Sequence, residues 1–266
     1  MKRPLLCLCL IGSLLPGGCA NSRGIASFAE NSASVLRENS LADRWRHAGA
    51  HLAAEYPDPG IASQVEFPER DEANRLEAIA RATLAVYMDS IADRALDRQP
   101  AAENRAEALT SSLNQLPGAI ERLDQNSGAA IRGVLSVLSL PGSTLRQLAL
   151  GRMISERDAD VQNVVAFLSA HAENVRGDFA TEAERVNAWL AQQFSAVDTA
   201  GLRVLAAQHR VQVHKRYADL GQAVIRYQEA LLLIGKRHHE LATRGADSKE
   251  ALASLAAVGA IRRATR

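Results

Sequence analysis

The chain has 266 residues with a formal net charge of +1; 47% are hydrophobic but only 4% aromatic. That length holds one large domain or two small ones, and a core built mainly of Ala, Leu and Val suits closely spaced helices. Basic and acidic residues are interspersed along the chain instead of gathered in blocks, which argues against nucleic acid as a partner.

Met1, Lys2 and Arg3 make a short basic start, residues 4–15 an apolar run, and Pro16, Gly17 and Gly18 a small-residue junction before Cys19. This is the layout of a signal peptide over residues 1–18. The apolar run is well short of the ~20 residues a helix needs to cross a bilayer core. Leu15-Pro16-Gly17-Gly18-Cys19 resembles the lipobox of bacterial lipoproteins, in which small residues precede a cysteine that is lipidated and becomes the new N-terminus. The resemblance covers only the signal and its junction. It implies lipid attachment at Cys19 and, with Ala20 instead of Asp in the next place, the periplasm-facing side of the outer membrane of a Gram-negative cell. A soluble periplasmic or secreted product of ordinary signal cleavage is the alternative. Cys7 and Cys9 lie inside the signal, so the mature chain holds a single cysteine and no internal disulfide.

Residues 19–40 are small and polar with scattered Ile25, Phe28, Val35 and Leu36, which predicts a lipidated N-terminus followed by a partly folding tether. A helix is expected over 41–55. It stops at Tyr56-Pro57-Asp58-Pro59-Gly60, where two prolines and a glycine favour a turn. Residues 69–97 read as a helix with Leu76, Ile79, Thr83, Tyr87 and Ile91 near one face, and a second helix from about residue 102 pairs with it. Residues 129–150 are the most apolar internal stretch, around Pro141-Gly142 and bracketed by Arg132 and Arg146. The preferred reading is a buried helix, turn and helix. The sharper reading is a membrane-inserting tongue, similar in general layout to those of helical pore-forming toxins.

From Val161 the apolar places Val165, Leu168, Ala172, Val175, Phe179, Val186 and Trp189 recur at alternating steps of four and three, with Glu182 filling one position. Val213, Tyr217, Leu220, Val224, Tyr227, Leu231, Ile234, His238 and Leu241 repeat the pattern. Both are heptad seams, which bury a narrow stripe and need a partner along their length. Two long helices, over about 156–194 and 201–243, are therefore expected to pack antiparallel as a hairpin. The phase survives Gly177, so the first is read as one kinked helix in preference to two, although Thr181-Glu182-Ala183-Glu184 has the form of a capping box that could restart a broken one. Asp247-Ser248 caps a short last helix over 249–261.

Chemistry is sparse. His47, His51 and Glu55 lie one turn apart on a single helix face and are the best metal candidate, a weak one because no fourth ligand is evident. His238-His239-Glu240 lacks the second histidine of the zinc-protease motif, Thr243 standing in its place. No histidine has Glu three residues before it, as di-iron bundles require. His238 falls on the seam and is expected to be a satisfied core histidine. Arg176-Gly177-Asp178 spells an adhesion tripeptide, but inside a helical period.

The sequence thus predicts an all-α protein, an elongated helical bundle with a long coiled-coil-like C-terminal hairpin. Its segments are a signal over 1–18, a tether over 19–40, a helical region over 41–155 and the hairpin with a short last helix over 156–266. The expected function is that of a non-enzymatic, membrane-anchored envelope lipoprotein acting as a structural or protein-binding module. No catalytic residue and no cofactor are predicted. The expected partners are the membrane, through the lipid, and an envelope protein or a second copy, with no nucleic acid. A membrane-active protein using 129–150 and a metal-binding protein are the alternatives.

Overall fold

The structure is a computed structural model that describes residues 17–38, 41–56, 68–98, 125–138, 150–195 and 199–245. The described residues form helices and no strand: α1 (Gly17–Arg37), α2 (Leu41–Arg46), α3 (Ala48–Glu55), α4 (Pro68–Ala95), α5 (Gln125–Leu138), α6 (Leu150–Glu156), α7 (Asp158–Ser195) and α8 (Ala200–Arg244). The expected helices from residue 102 and over 249–261, and the Pro141-Gly142 turn, lie outside the described residues.

The hairpin of α7 and α8 is the spine of the molecule, and these two helices share the most extensive packing in it. Helix α7 runs unbroken through Gly177, as the uninterrupted seam requires. Seam residues Val161, Val165, Leu168, Ala172, Val175, Phe179, Glu182 and Val186 are buried, as are Val213, Tyr217, Val224, Tyr227, Leu231, Ile234, His238 and Leu241. Trp189 and Leu220 are only partly buried. Val164 and Ala230, off the seam, are buried as well. A two-helix seam leaves such positions wet, and here α5 covers α7 while α6 covers α8. Gly235 sits at a close approach within the hairpin. A Cβ there would lie 3.2 Å from Val165 Cγ1, and its carbonyl accepts Gln162 Nε2 at 2.9 Å.

Helices α1 and α4 form a second antiparallel pair laid against the spine. Arg98 reaches Glu30 at 2.9 Å, and Arg81 donates to the Leu36 carbonyl at 2.8 Å, so α1 runs against the direction of α4. In turn α4 runs against α7, pinned at one end by Arg70 to Asp178 at 3.1 Å and linked at the other by the Tyr87 hydroxyl, through His238, to Asp158. The N-terminal end of α1 therefore points toward the base of the hairpin, where α7 starts and α8 ends. The α7–α8 turn is at the opposite end, ~57 Å away for a 38-residue helix rising 1.5 Å per residue.

This corrects the expected tether over 19–40. Ile25, Phe28, Ala29, Ser32, Ala33 and Leu36 follow the helical spacing of three, four, seven and eight, and all are buried. The small polar residues between them hid that stripe. The helix expected over 41–55 is also corrected: it divides at His47, whose φ of −99° and ψ of 25° fall outside helical geometry. One cluster of buried side chains runs from Ile25 to Leu241.

Candidate functional site

Three levels along the hairpin carry polar or exposed groups that need explaining. The first is its base, where α7 begins. Asp158 and Asp160 stand in the first turn of α7, where the helix dipole favours negative charge. Asp158 Oδ1 lies 3.0 Å from His238 Nδ1, and its Oδ2 2.6 Å from His239 Nδ1. His238 Nε2 is 3.0 Å from the Tyr87 hydroxyl. An imidazole protonated at Nδ1 fits both contacts, donating to the carboxylate and accepting from the phenol. Burial pushes the His238 pKa down, against the pull of Asp158. Burial works to raise the Asp158 pKa, but hydrogen bonds from His238, His239 and Gln162 outweigh it and hold the pKa at about 2.

A Tyr-His-Asp series has the connectivity of a proton relay. Tyr87 and His238 are both 0% exposed, so these two members of the series lie wholly within the core. The series fastens α4 to both arms of the hairpin, and His238 is the satisfied core histidine expected from its seam position.

The middle level is a clamp from α2. Glu182, 1% exposed on the seam, pairs with Arg44 and accepts the Tyr217 hydroxyl at 2.7 Å. Trp45 Nε1 donates to Asp178 at 2.7 Å, and the Arg70 guanidinium lies 5.3 Å from the Trp45 ring centroid. His171 meets the edge of Trp45 with ring centroids 5.1 Å apart. Burial lowers its pKa from 6.5 to about 4, against the opposing pull of Asp178. The adhesion-like tripeptide is absorbed here: Asp178 takes Trp45 and Arg70, while Arg176 pairs with Glu173 along the same helix.

The metal candidate is not assembled. His47 sits at the break between α2 and α3, His51 is exposed, and Glu55 pairs with Arg216 of α8. Among the described residues no group of three or more His, Cys, Asp or Glu side chains could hold a metal ion. His51 and Glu55 remain one turn apart on α3, but Glu55 is drawn to Arg216 and His47 stands at the N-cap with non-helical dihedrals. Of the apolar stretch 129–150, Ile131 and Val134 are 0% exposed beneath α4 and α7. Gly133 lies so close to α7 that a Cβ there would meet Asp160 Oδ2 at 2.2 Å. These residues are core, and residues 139–149 lie outside the described residues. No helix among the described residues is long and apolar enough to cross a membrane.

The third level is the tip. Tyr56 packs its ring on Trp189 of α7 and His209 of α8, with centroids 5.3 Å and 6.2 Å away. Beyond that contact the first turns of α8 are bare: Leu202, Val204, Leu205 and Val211 are 54%, 58%, 61% and 69% exposed. Among the described residues the remaining large exposed apolar side chain is Leu232. Four such residues within ten positions form a patch of the kind that marks a contact surface. The sequence reading stopped the seam at Val213 and missed it, although Leu202, Val204, Leu205 and Val211 without a heptad phase were a visible sign. Cys19 falls on the first turn of α1, with its side chain outside what the structure describes. Compared with protein-family models, curated proteins and solved structures, the chain finds no match in any of the three.

Proposed function

We propose that this is a non-enzymatic envelope lipoprotein, anchored to the outer membrane through Cys19, in which a stiff helical hairpin carries a binding surface away from the anchor. The observation that carries this reading is the placement of the two ends. Helix α1, which holds Cys19 in its first turn, points its N-terminal end toward the base of the hairpin, and the bare apolar patch lies toward the tip. A lipid anchor concentrates the protein at one leaflet. Packing of α1 and α4 along the spine keeps the tip at a set distance from that leaflet. The role is structural or one of association; the buried relay at the base and the clamp in the middle serve to hold the spine straight.

Intact mass and membrane partitioning of the wild type beside Cys19→Ser test the anchor. A lipid-sized increment on a fragment beginning at Cys19, lost in the variant together with membrane association, is the expected result. An unmodified wild-type protein that stays soluble overturns it.

A further inference from the structure

The hairpin has two flanks. One is taken by the N-terminal helices: His171 and Asp178 of α7 meet Trp45, while His209 and Arg216 of α8 meet Tyr56 and Glu55. On the other flank Gln162 bonds the Gly235 carbonyl, and Gln228 bonds the Ser169 carbonyl and Glu173. Outside those bonds α8 presents Val204, Val211, Ala218, Ile225 and Leu232, each seven residues after the last. Val204, Val211 and Leu232 are 58%, 69% and 59% exposed, Ala218 is exposed and Ile225 half-buried. Ala218, Ile225 and Leu232 each follow a buried seam residue by one place, which holds the line at about 100° from the seam. It is a second apolar stripe with the period of the core, and such a stripe is covered by a helix laid along it. The adjoining surface of α7 is small and neutral. One place after Val165, Ala172, Phe179 and Val186 it carries Ala166, Glu173, Ala180 and Asn187, and Glu173 pairs with Arg176. The bond between Tyr217 and Glu182 sets Ala218 and Gly221 of α8 level with Ala180 and Ala183 of α7, and a Cβ at Gly221 would meet nothing within 4 Å.

We infer that a second copy of this chain docks on the open flank about a two-fold axis parallel to the spine, so that the two hairpins close into a four-helix bundle. Helix α8 of each copy then lies against α7 of the other, antiparallel to it as within the hairpin. Ala180, Ala183, Ala218 and Gly221 stand at the centre, where small residues let helices approach to about 8 Å. The charged residues on the facing stripes, Glu173 and Arg176, already pair with each other, so docking strands no charge. From Val204 to Leu232 the flank is ~42 Å long, and two helices of about 10 Å make it about 20 Å wide. That is ~840 Å² per copy, the size of a stable interface. An axis parallel to the spine keeps both bases at one end and both tips at the other, which lets two lipidated Cys19 residues enter one leaflet. The inference deepens the proposed function by naming the partner, and the dimer itself does not rest on the anchor.

The test is analytical sedimentation of the Cys19→Ser full chain, so that lipidation plays no part. The expected mass is twice the 28.6 kDa of one chain, falling to a single chain on dilution. Val211→Glu with Ala218→Glu should weaken association at least about a hundredfold, each charge in the seam counting for about tenfold. Gly221→Gln should weaken it about tenfold or more while leaving the Tm of the diluted chain unchanged or raised, because its side chain meets open space in one copy and suits a helix better. Leu205→Asp, on the far side of α8, should leave the dimer intact. A chain that stays monomeric at every soluble concentration, or a dimer that survives Val211→Glu with Ala218→Glu, overturns the inference. So does a dimer lost on Leu205→Asp, which would move the contact to the tip. The axis is read with Cys7 and Cys9 also replaced by Ser: oxidising a mixture of Ala218→Cys chains and Ala183→Cys chains should crosslink unlike chains. Crosslinking of Ala218→Cys chains to one another instead would mean an antiparallel pair and overturn the arrangement. A wild type whose Cys19 carries no lipid sinks the anchor and leaves the dimer standing.

Discussion

The two ends of the hairpin are built from one continuous pair of helices, yet they solve opposite problems. At the base, α4, α5 and α6 close over the spine, and a connected polar series is brought inside: Tyr87 to His238, His238 to Asp158, Gln162 to Asp158 and Gly235. At the tip, among the described residues, Glu55 and Tyr56 at the end of α3 meet the spine, and apolar side chains of α8 face outward. Burial and a connected polar series hold the fold at one end, and large apolar side chains stay bare at the other. Stability and binding should therefore separate cleanly along the length of the molecule.

The largest effect expected is at the α1 side of the base. Phe28 is 0% exposed in the α1–α4 interface, so Phe28→Ala should cost about 3–5 kcal/mol in urea unfolding. A change within ~0.5 kcal/mol would restore the view of 19–40 as a tether. Next comes Glu182→Ala, which removes the partner of the partly buried Arg44 and of the Tyr217 hydroxyl and should cost about 3 kcal/mol. Because the loss arises from a stranded charge, Glu182→Leu combined with Arg44→Leu should recover most of it. A double variant no better than the single would mean that the pair itself supplies net stability.

Acidification should weaken the base and middle but not the tip. His238 and His171 both have folded pKa values below 6.5, pushed down mainly by burial. The unfolded chain therefore takes up more protons as pH falls through 6.5, and stability drops. About 1–2 kcal/mol should be lost between pH 7 and pH 5, read as a falling Tm, with part of the slope removed by His171→Leu. Asp158, held at about 2 against an ordinary 3.8, adds its loss only below about pH 4. A Tm constant from pH 7 to pH 5 would contradict the buried, neutral state of both imidazoles. The smallest expected effect is at the tip, where Leu202→Asp should alter stability by no more than about 0.5 kcal/mol. A larger loss would show that the tip is covered in the folded protein and would undo the contrast between the ends.

Much of the architecture was legible because long helices write their partners into a repeat. The seams from Val161 to Val186 and from Val213 to Leu241 located α7 and α8 to within a few residues and placed His238 inside. Even the charged break in the seam, Glu182, was visible as a position. What it bonds to was not, since Arg44 stands 138 residues away and nothing near it in sequence points to α7. Helix α1 was misread because alanine and serine carry little hydrophobic signal, although they pack closely when Phe28 and Leu36 drive the burial. The metal candidate is not assembled for a different reason: its spacing read only one helix, and Glu55 is taken by Arg216, 161 residues away, while His47 leaves helical geometry.

By itself the sequence determined the helical class, the hairpin and its antiparallel sense, because a period of 3.5 residues over such a length permits few other solutions. It also carried the signal-like start and the cysteine that follows it. Only the tertiary structure decided which stretches of the spine are covered. Whether a leucine is core or contact surface depends on what arrives from elsewhere in the chain: α4, α5 and α6 reach the base, α2 the middle, and α3 stops at Tyr56, leaving Leu202 and Leu205 bare.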